Sequence, residues 1–395
     1  MIAARGGRGG RTAAPAPRIV LIGLDGVAPT ALGPETTPFL WGLATAHGGR
    51  PARGRAPFPA TTHPSFATLL TGARPGRHAV RATATRPGAR PGWAGDVRVA
   101  VPTLLDACEA AGIPATAILG DHELLRVLGA ERLPRHWPPG GDPAGLVRDA
   151  HGYPVDDEVA PVLVEAAADP AVDVVFGHLN EADTVGHDRG PGDPATAGCL
   201  ARTDAIVKAL VGALRPRWRD TLLVVVSDHG MIATSAAPPI DPSGDRDLAP
   251  VVADWLGDGG AALLRLRPGS DAAGTVRCAV ERPGIASARI LAPDLVGLGA
   301  APGRVFAGTP EAWRGCHGGP GTRGTLAIVA GGHPAAARLR AATAARPPAM
   351  ADWAPTLAAL IGVSLPDADG TDLLGRGTPS AIPAGRRADR APTAR

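Results

Sequence analysis

Six residues of this chain, Asp25, Asp183, His187, Asp228, His229 and His317, are of the types that hold metal ions, and each stands beside an apolar run. The segment 222-LLVVVSDHGMI-232 runs from five apolar residues into Ser227 and then presents Asp228 and His229 side by side. Asp25 follows 18-RIVLIGL-24. Asp183 and His187 lie in 180-NEADTVGHDRGPGD-193, which follows 172-VDVVFGHL-179. His317 lies in 313-WRGCHGGPGTRG-324, just ahead of 325-TLAIVA-330. Mixed carboxylate and imidazole ligands suit zinc, with manganese or iron as alternatives. A catalytic zinc takes three protein ligands, so six such residues suit two divalent ions sharing one site, roughly 4 Å apart.

A hydroxyl could join them. In 56-APFPATTHPSFATLLTG-72, Thr61 and Thr62 precede a helix predicted over 64–70. A helix N-terminus favours anions through its free N–H groups. Contact with a metal would ionise a threonine there more readily. An ordinary threonine N-cap is the alternative reading of this segment.

Residues so far apart need a scaffold that gathers them. The runs 18-RIVLIGL-24, 115-ATAIL-119, 172-VDVVFGHL-179, 221-TLLVVV-226 and 325-TLAIVA-330 are short, apolar and mostly rich in Val and Ile, which predicts buried strands. Helices are predicted over 37–48, with Pro38 near the start and Gly48 past the end. Further helices are predicted over 101–112, over 156–168 with Asp156 as a cap, over 196–214 and over much of 349–363. The alternation predicts an α/β fold, a three-layer sandwich with a mostly parallel central sheet and helices on both faces. Such sheets bind ligands at the carboxyl ends of their strands, where these six residues fall or adjoin. Residues 232–312 break the rhythm with Pro, Gly and short apolar pieces such as 261-AALLRLR-267, and read as an inserted cap. The catalytic core is then 18–231 and 313–376. Residues 73–100 read as a lid loop, and 1–17 and 377–395 as disordered tails.

Composition excludes several classes. Of the 395 residues 45% are apolar and 19% charged, as in a soluble globular protein. No run of apolar residues is long enough for a membrane helix, and the first residues lack the apolar core of a signal peptide. The expectation is a cytoplasmic protein with no membrane partner. The net charge of +3 comes from arginines in the tails, and the body is net acidic. With aromatics at only 3%, a stable nucleic-acid partner is not expected either. Cys108, Cys199, Cys278 and Cys316 form no CxxC pair, which argues against a disulfide framework.

Taken in order, 21-LIGLDGV-27, 58-FPATTHPSFATLLTGARPGRHAV-80, 180-NEADTVGHDRGPGD-193, 225-VVSDHGM-231, 315-GCHGG-319 and 352-DWAPTLAALIGVSLPDADGTDLL-374 resemble the alkaline phosphatase superfamily. Within it, the chain is most similar to the type I phosphodiesterase/nucleotide pyrophosphatase family. The resemblance implies an alkaline-phosphatase-like fold and a hydrolase of phosphodiester or phosphoanhydride bonds. It implies Asp25, Asp228 and His229 around one zinc, and Asp183, His187 and His317 around the other. It places Thr62, and not Thr61, on the nucleophile, which would bridge near the metals and form a phospho-threonine that water then hydrolyses. The implied substrate is a small phosphate ester such as a nucleotide or nucleotide sugar. Where the family usually has a phosphate-binding Asn, this chain has Thr83. A phosphonate hydrolase and a phosphomonoesterase share the scaffold, and a silent metal-binding protein is the non-enzymatic alternative. The oligomeric state is not implied.

Overall fold

A computed structural model describes residues 15–46, 53–83, 98–140 and 144–376. Most of both expected tails, and residues 84–97 of the expected lid, lie outside the described residues.

The strands of the central sheet are β1 (Arg18–Leu24), β2 (Arg53–Arg55), β3 (Ala115–Leu119), β4 (His136–Trp137), β5 (Val174–Leu179) and β6 (Thr221–Ser227). After them come the short β7 (Ile232–Ala233), then β8 (Val252–Asp258), β9 (Ala261–Leu266), β10 (Ile285–Ala292), β11 (Leu295–Ala300), the short β12 (Gly315–Cys316) and β13 (Gly324–Ala330). The seven-stranded sheet has the order β2-β13-β6-β1-β5-β3-β4. Strands β6, β1, β5, β3 and β4 are mutually parallel, while β13 runs antiparallel to β6 and β2.

Strand β1 shows why the sheet is a middle layer. Its side chains alternate between faces. Ile19 and Leu21 enter one core with Phe66, Leu69, Trp353 and Leu357, while Val20 and Ile22 enter another with Val159, Leu163 and Val207. The helices sort accordingly. On the first face lie α2 (Thr62–Thr71), α4 (Leu104–Ala110), α5 (His122–Leu128), α10 (Pro334–Ala345) and α11 (Trp353–Ile361), and on the second α1 (Pro38–Thr45), α6 (Asp156–Ala168) and α8 (Pro194–Ala213). The short α3 (Pro75–His78), α7 (Glu181–Arg189) and α9 (Ala272–Val280) complete the chain. Burying a side chain such as Phe66 contributes about 1.5–3 kcal/mol, so α2 is held chiefly by its packed face.

Two sequence expectations change. Asp156 does not cap α6; Val155 stands at the N-cap, and the Asp156 carboxylate turns inward to accept from the N–H groups of Asn180 and Glu181. The segment 180–193, for which the sequence predicts no helix, carries α7. Its polar composition hides it, because its role is to carry ligand-type side chains and not to fill a core. Within 232–312, strands β8 to β11 form an antiparallel sheet of order β10-β11-β9-β8 with its own apolar cluster around Leu264, Val296, Leu298 and Phe306.

Candidate active site

The carboxyl ends of β1, β5 and β6 are laced together. The N–H of Asp25 donates to Leu179 O at 2.9 Å, and that of Gly26 to Asp228 Oδ1 at 3.1 Å. Gly26 has φ of 69°, and a Cβ there would lie 2.7 Å from Asp183 Oδ1. Only glycine takes that conformation without strain and leaves room for the neighbouring carboxylate.

On α7, Asp183 and His187 are four residues apart and share a face, which sets His187 Nε2 3.2 Å from Asp183 Oδ2. His187 Nδ1 donates to Gly315 O at 2.9 Å, and His229 Nδ1 to Gly230 O at 3.2 Å. In both rings this leaves Nε2 as the nitrogen facing the site, the arrangement metal-ligating histidines use. His229 Nε2 lies 3.0 Å from Asp228 Oδ2 and 3.5 Å from Asp25 Oδ1. The His317 ring stacks on His229 with centroids 3.8 Å apart. His317 arrives at this edge because β13 runs backwards; in a parallel strand its lead-in would fall at the opposite edge.

Ligand atoms of Asp25, Asp228 and His229 lie within 4.8 Å of one another, the grouping implied by the resemblance. Asp183 and His317 group within the same limit with His229, where His187 was expected. His187 stands against the other oxygen of Asp183.

Burial, with Asp228 and Asp183 adding to it, pushes the Asp25 carboxyl well above its ordinary range. Burial acts the same way on Asp183, but His187, His317 and His229 outweigh it and hold that carboxyl well below. Burial lowers His317 to about 3, with His229 adding to the effect. Burial also works against charge on His229, but Asp228 outweighs it and raises that imidazole. Asp183 Oδ1 and His317 Nδ1 are buried with no hydrogen-bond partner. Each such orphan costs about 1–3 kcal/mol. Divalent cations would satisfy the crowded carboxylates and free lone pairs together, so the residues present fit them.

Thr62 opens α2, with Oγ1 3.4 Å from both Asp25 Oδ1 and His229 Nε2. Thr61 stands at the N-cap, but its hydroxyl caps nothing and is buried without a partner. A cavity of about 430 Å³ opens beside Thr62, lined also by Asp25, Asp183, His187 and His317. Thr83 lines it too, but its O–H donates to Asp258 Oδ2 at 3.2 Å, so its hydrogen is directed to the end of β8.

Several contributors lie outside the predicted ligand set. His178, inside the apolar run of β5, places Nε2 3.2 Å from Asp25 Oδ2. Its one signal is an imidazole in an otherwise apolar strand. Trp313 stacks on His187 with centroids 3.5 Å apart, and His151 stands 5.9 Å from both rings. His63 is fully buried and pairs with Asp121 Oδ2 at 2.8 Å. Asp258 comes from the second sheet, which no pattern near Thr62 foretells.

A three-layer α/β sandwich thus gathers acidic and imidazole side chains and a helix-start hydroxyl at one sheet edge, and the family the chain matches is one of phosphoric-ester hydrolases. Residues 19–277 match the family described as type I phosphodiesterase / nucleotide pyrophosphatase, and the chain belongs to it. Among solved structures it is similar to murine ectonucleotide pyrophosphatase / phosphodiesterase 5, an inactive variant in complex with AMP. That likeness has 15% identity and a TM-score of 0.62 over 90% of this chain and 97% of that one. It is also similar to phosphonoacetate hydrolase from Sinorhizobium meliloti 1021 in complex with phosphonoacetate, with 17% identity and a TM-score of 0.59 over 80% of this chain and 90% of that one. The same hydrolase with phosphonoformate gives 17% identity and a TM-score of 0.58 over the same shares. No curated protein sequence matches the chain.

Proposed function

We propose that this enzyme hydrolyses phosphodiester or phosphoanhydride bonds of small molecules, with Thr62 as nucleophile and two divalent ions, zinc in the first instance, as cofactors. The observation that carries this reading is the position of Thr62 Oγ1, 3.4 Å from both Asp25 Oδ1 and His229 Nε2 at the first residue of α2. Asp25, Asp228 and His229 would hold one ion, and Asp183, His187 and His317 the other, with His229 close to both groups. When bound, the ions supply positive charge for the oxygens that gain charge during the displacement. Thr62 forms an O–P bond while the bond to the leaving oxygen breaks, and water then cleaves the phospho-threonine. The first N–H groups of α2 face the anion. Since one structural neighbour is bound to AMP, nucleotides and nucleotide sugars form the first set to assay.

The test compares bis-p-nitrophenyl phosphate with p-nitrophenyl phosphate, on metal-stripped protein with zinc or manganese restored, beside Thr62→Ala. Faster diester cleavage that needs metal and Thr62 supports the reading. Faster monoester cleavage makes the enzyme a phosphomonoesterase. No cleavage of either by the metal-loaded protein rejects the proposal.

A further inference from the structure

The seam between the end of β2 and the second sheet gathers positive charge that the hydrolytic reading does not use. Arg55 closes β2 and stands opposite Gly324 in the ladder to β13. The N–H of the next residue, Ala56, donates to Arg323 O at 2.8 Å. The Arg323 side chain folds back onto the same segment: Nε donates to Pro57 O at 3.1 Å and Nη2 to Ala56 O at 2.8 Å. From β10, the Arg289 guanidinium lies 4.4 Å from the centroid of the Phe58 ring. Three cations are thus gathered around four successive residues, 55–58.

Their charges act on one another and no acid offsets them. Burial, with Arg55 and Arg289 adding to it, lowers the Arg323 guanidinium to about 10. Burial and Arg55 together hold Arg289 below its ordinary value. No carboxylate enters either balance, and none among the described residues pairs with Arg55, Arg289 or Arg323. Arg289 and Arg323 are partly buried, where a cation is ordinarily paired. Two donors at the seam are also unspent: Arg289 Nε and Ser287 Oγ are buried with no hydrogen-bond partner. Ser287 and Arg289 stand opposite Gly299 and Gly297 in the ladder to β11, so all four share one face of the second sheet. That face packs closely on the large core: a Cβ at position 297 would lie 2.6 Å from the Phe58 ring, and one at 299 would lie 2.8 Å from Pro320.

We propose that Arg55, Arg289 and Arg323 bind a small tetrahedral oxyanion of the phosphate class, outside the catalytic cavity, which none of the three lines. Guanidinium forks suit such an anion, whose several oxygens accept from more than one of them at once. Bound there, it would tie β10 of the second sheet to 55–58, the segment that leads into Thr62 and α2. The inference goes beyond the hydrolytic reading and stands without it.

The test titrates inorganic phosphate into the metal-loaded protein by calorimetry, at an ionic strength fixed with chloride, beside Arg55→Gln and Arg289→Gln. Phosphate held by metal ions in the cavity is common to all three proteins, so the difference from wild type reports the seam alone. The expected result is one phosphate per chain whose affinity falls by roughly tenfold or more in each variant. Phosphate should also raise the melting temperature of wild type more than that of either variant, because a ligand of the folded state stabilises it. The same phosphate stoichiometry and affinity in all three proteins would overturn the proposal, and so would chloride raising the melting temperature of wild type as much as phosphate does. Arg55 is exposed, so Arg55→Gln keeps the fold and decides by itself if Arg289→Gln melts early.

Discussion

The backbone N–H of Asp121 donates to His178 Nδ1 at 3.3 Å, and this decides what the far side of the ring can do. A nitrogen that accepts carries no proton, so the neutral ring keeps its hydrogen on Nε2. Nε2 then donates to Asp25 Oδ2 at 3.2 Å, leaving Asp25 Oδ1 on the Thr62 side. His178 is thus a positioning residue for a carboxylate expected to hold metal.

Replacing that ring tests the link. His178→Phe keeps an aromatic ring against Phe66, whose centroid is 4.6 Å away, but removes the donor. Outer partners of metal ligands are worth about 10–100-fold in metal affinity. Competition with a chelator should show a loss of that size, beside a stability loss of about 1–3 kcal/mol from the buried Asp121 N–H left without its acceptor. An unchanged affinity would mean that His178 only fills space.

The two adjacent threonines should behave oppositely. Thr62→Ala should abolish turnover, while Thr61→Ala should leave it largely intact. Stability should hardly change in Thr61→Ala, since a buried hydroxyl with no partner is nearly neutral to remove. Acid quench during turnover followed by peptide mass spectrometry should place a phosphoryl group on Thr62. Phosphate on Thr61 would reverse the assignment.

Gly26→Ala should damage metal binding more than the fold. A left-handed alanine costs about 1–2 kcal/mol, and the added methyl collides with Asp183 Oδ1. The variant should melt only a few degrees lower yet bind less than the full complement of metal, measured by elemental analysis. Full loading would show that Asp183 can shift without loss.

Asp156 gives a pH dependence of stability away from the metals. Burial raises its carboxyl to about 7. Between the unfolded value near 4 and that point the folded state binds the extra proton, so this group's contribution falls as pH rises. Denaturant unfolding of wild type and Asp156→Asn should show wild type losing ground steadily between about pH 4 and 7. A constant gap between the two would mean that Asp156 titrates normally.

Strands β1, β3, β5 and β6 were legible because each is an apolar run buried on both sides, and Asp25, Asp228 and His229 because they follow such runs directly. Helix α7 was not, since its residues serve the site and present no apolar stripe. Strand β13 was legible as a strand but not in direction, because an apolar run reads the same either way; only pairing with β6 shows it reversed. Asp258 and Asn180 escaped notice because the fold, and not the order of the chain, brings them to the cavity wall.

That reversed strand also bears on the order in which the protein is made. Strand β13 pairs with β6 through Ala327 and Val226 and with β2 through Thr325 and Gly54, so it closes the large sheet from very late in the chain. The second sheet is the opposite case: β8 passes to β9, and β10 to β11, through short turns. Local pairings form quickly and distant ones slowly, because the intervening chain must be closed into a loop first. On the ribosome, the second sheet can therefore be complete while the large one still lacks an interior strand. Until β13 has left the ribosome, β2 lacks that partner, and His317, just ahead of β13, is not yet held at the edge that β1, β5 and β6 form.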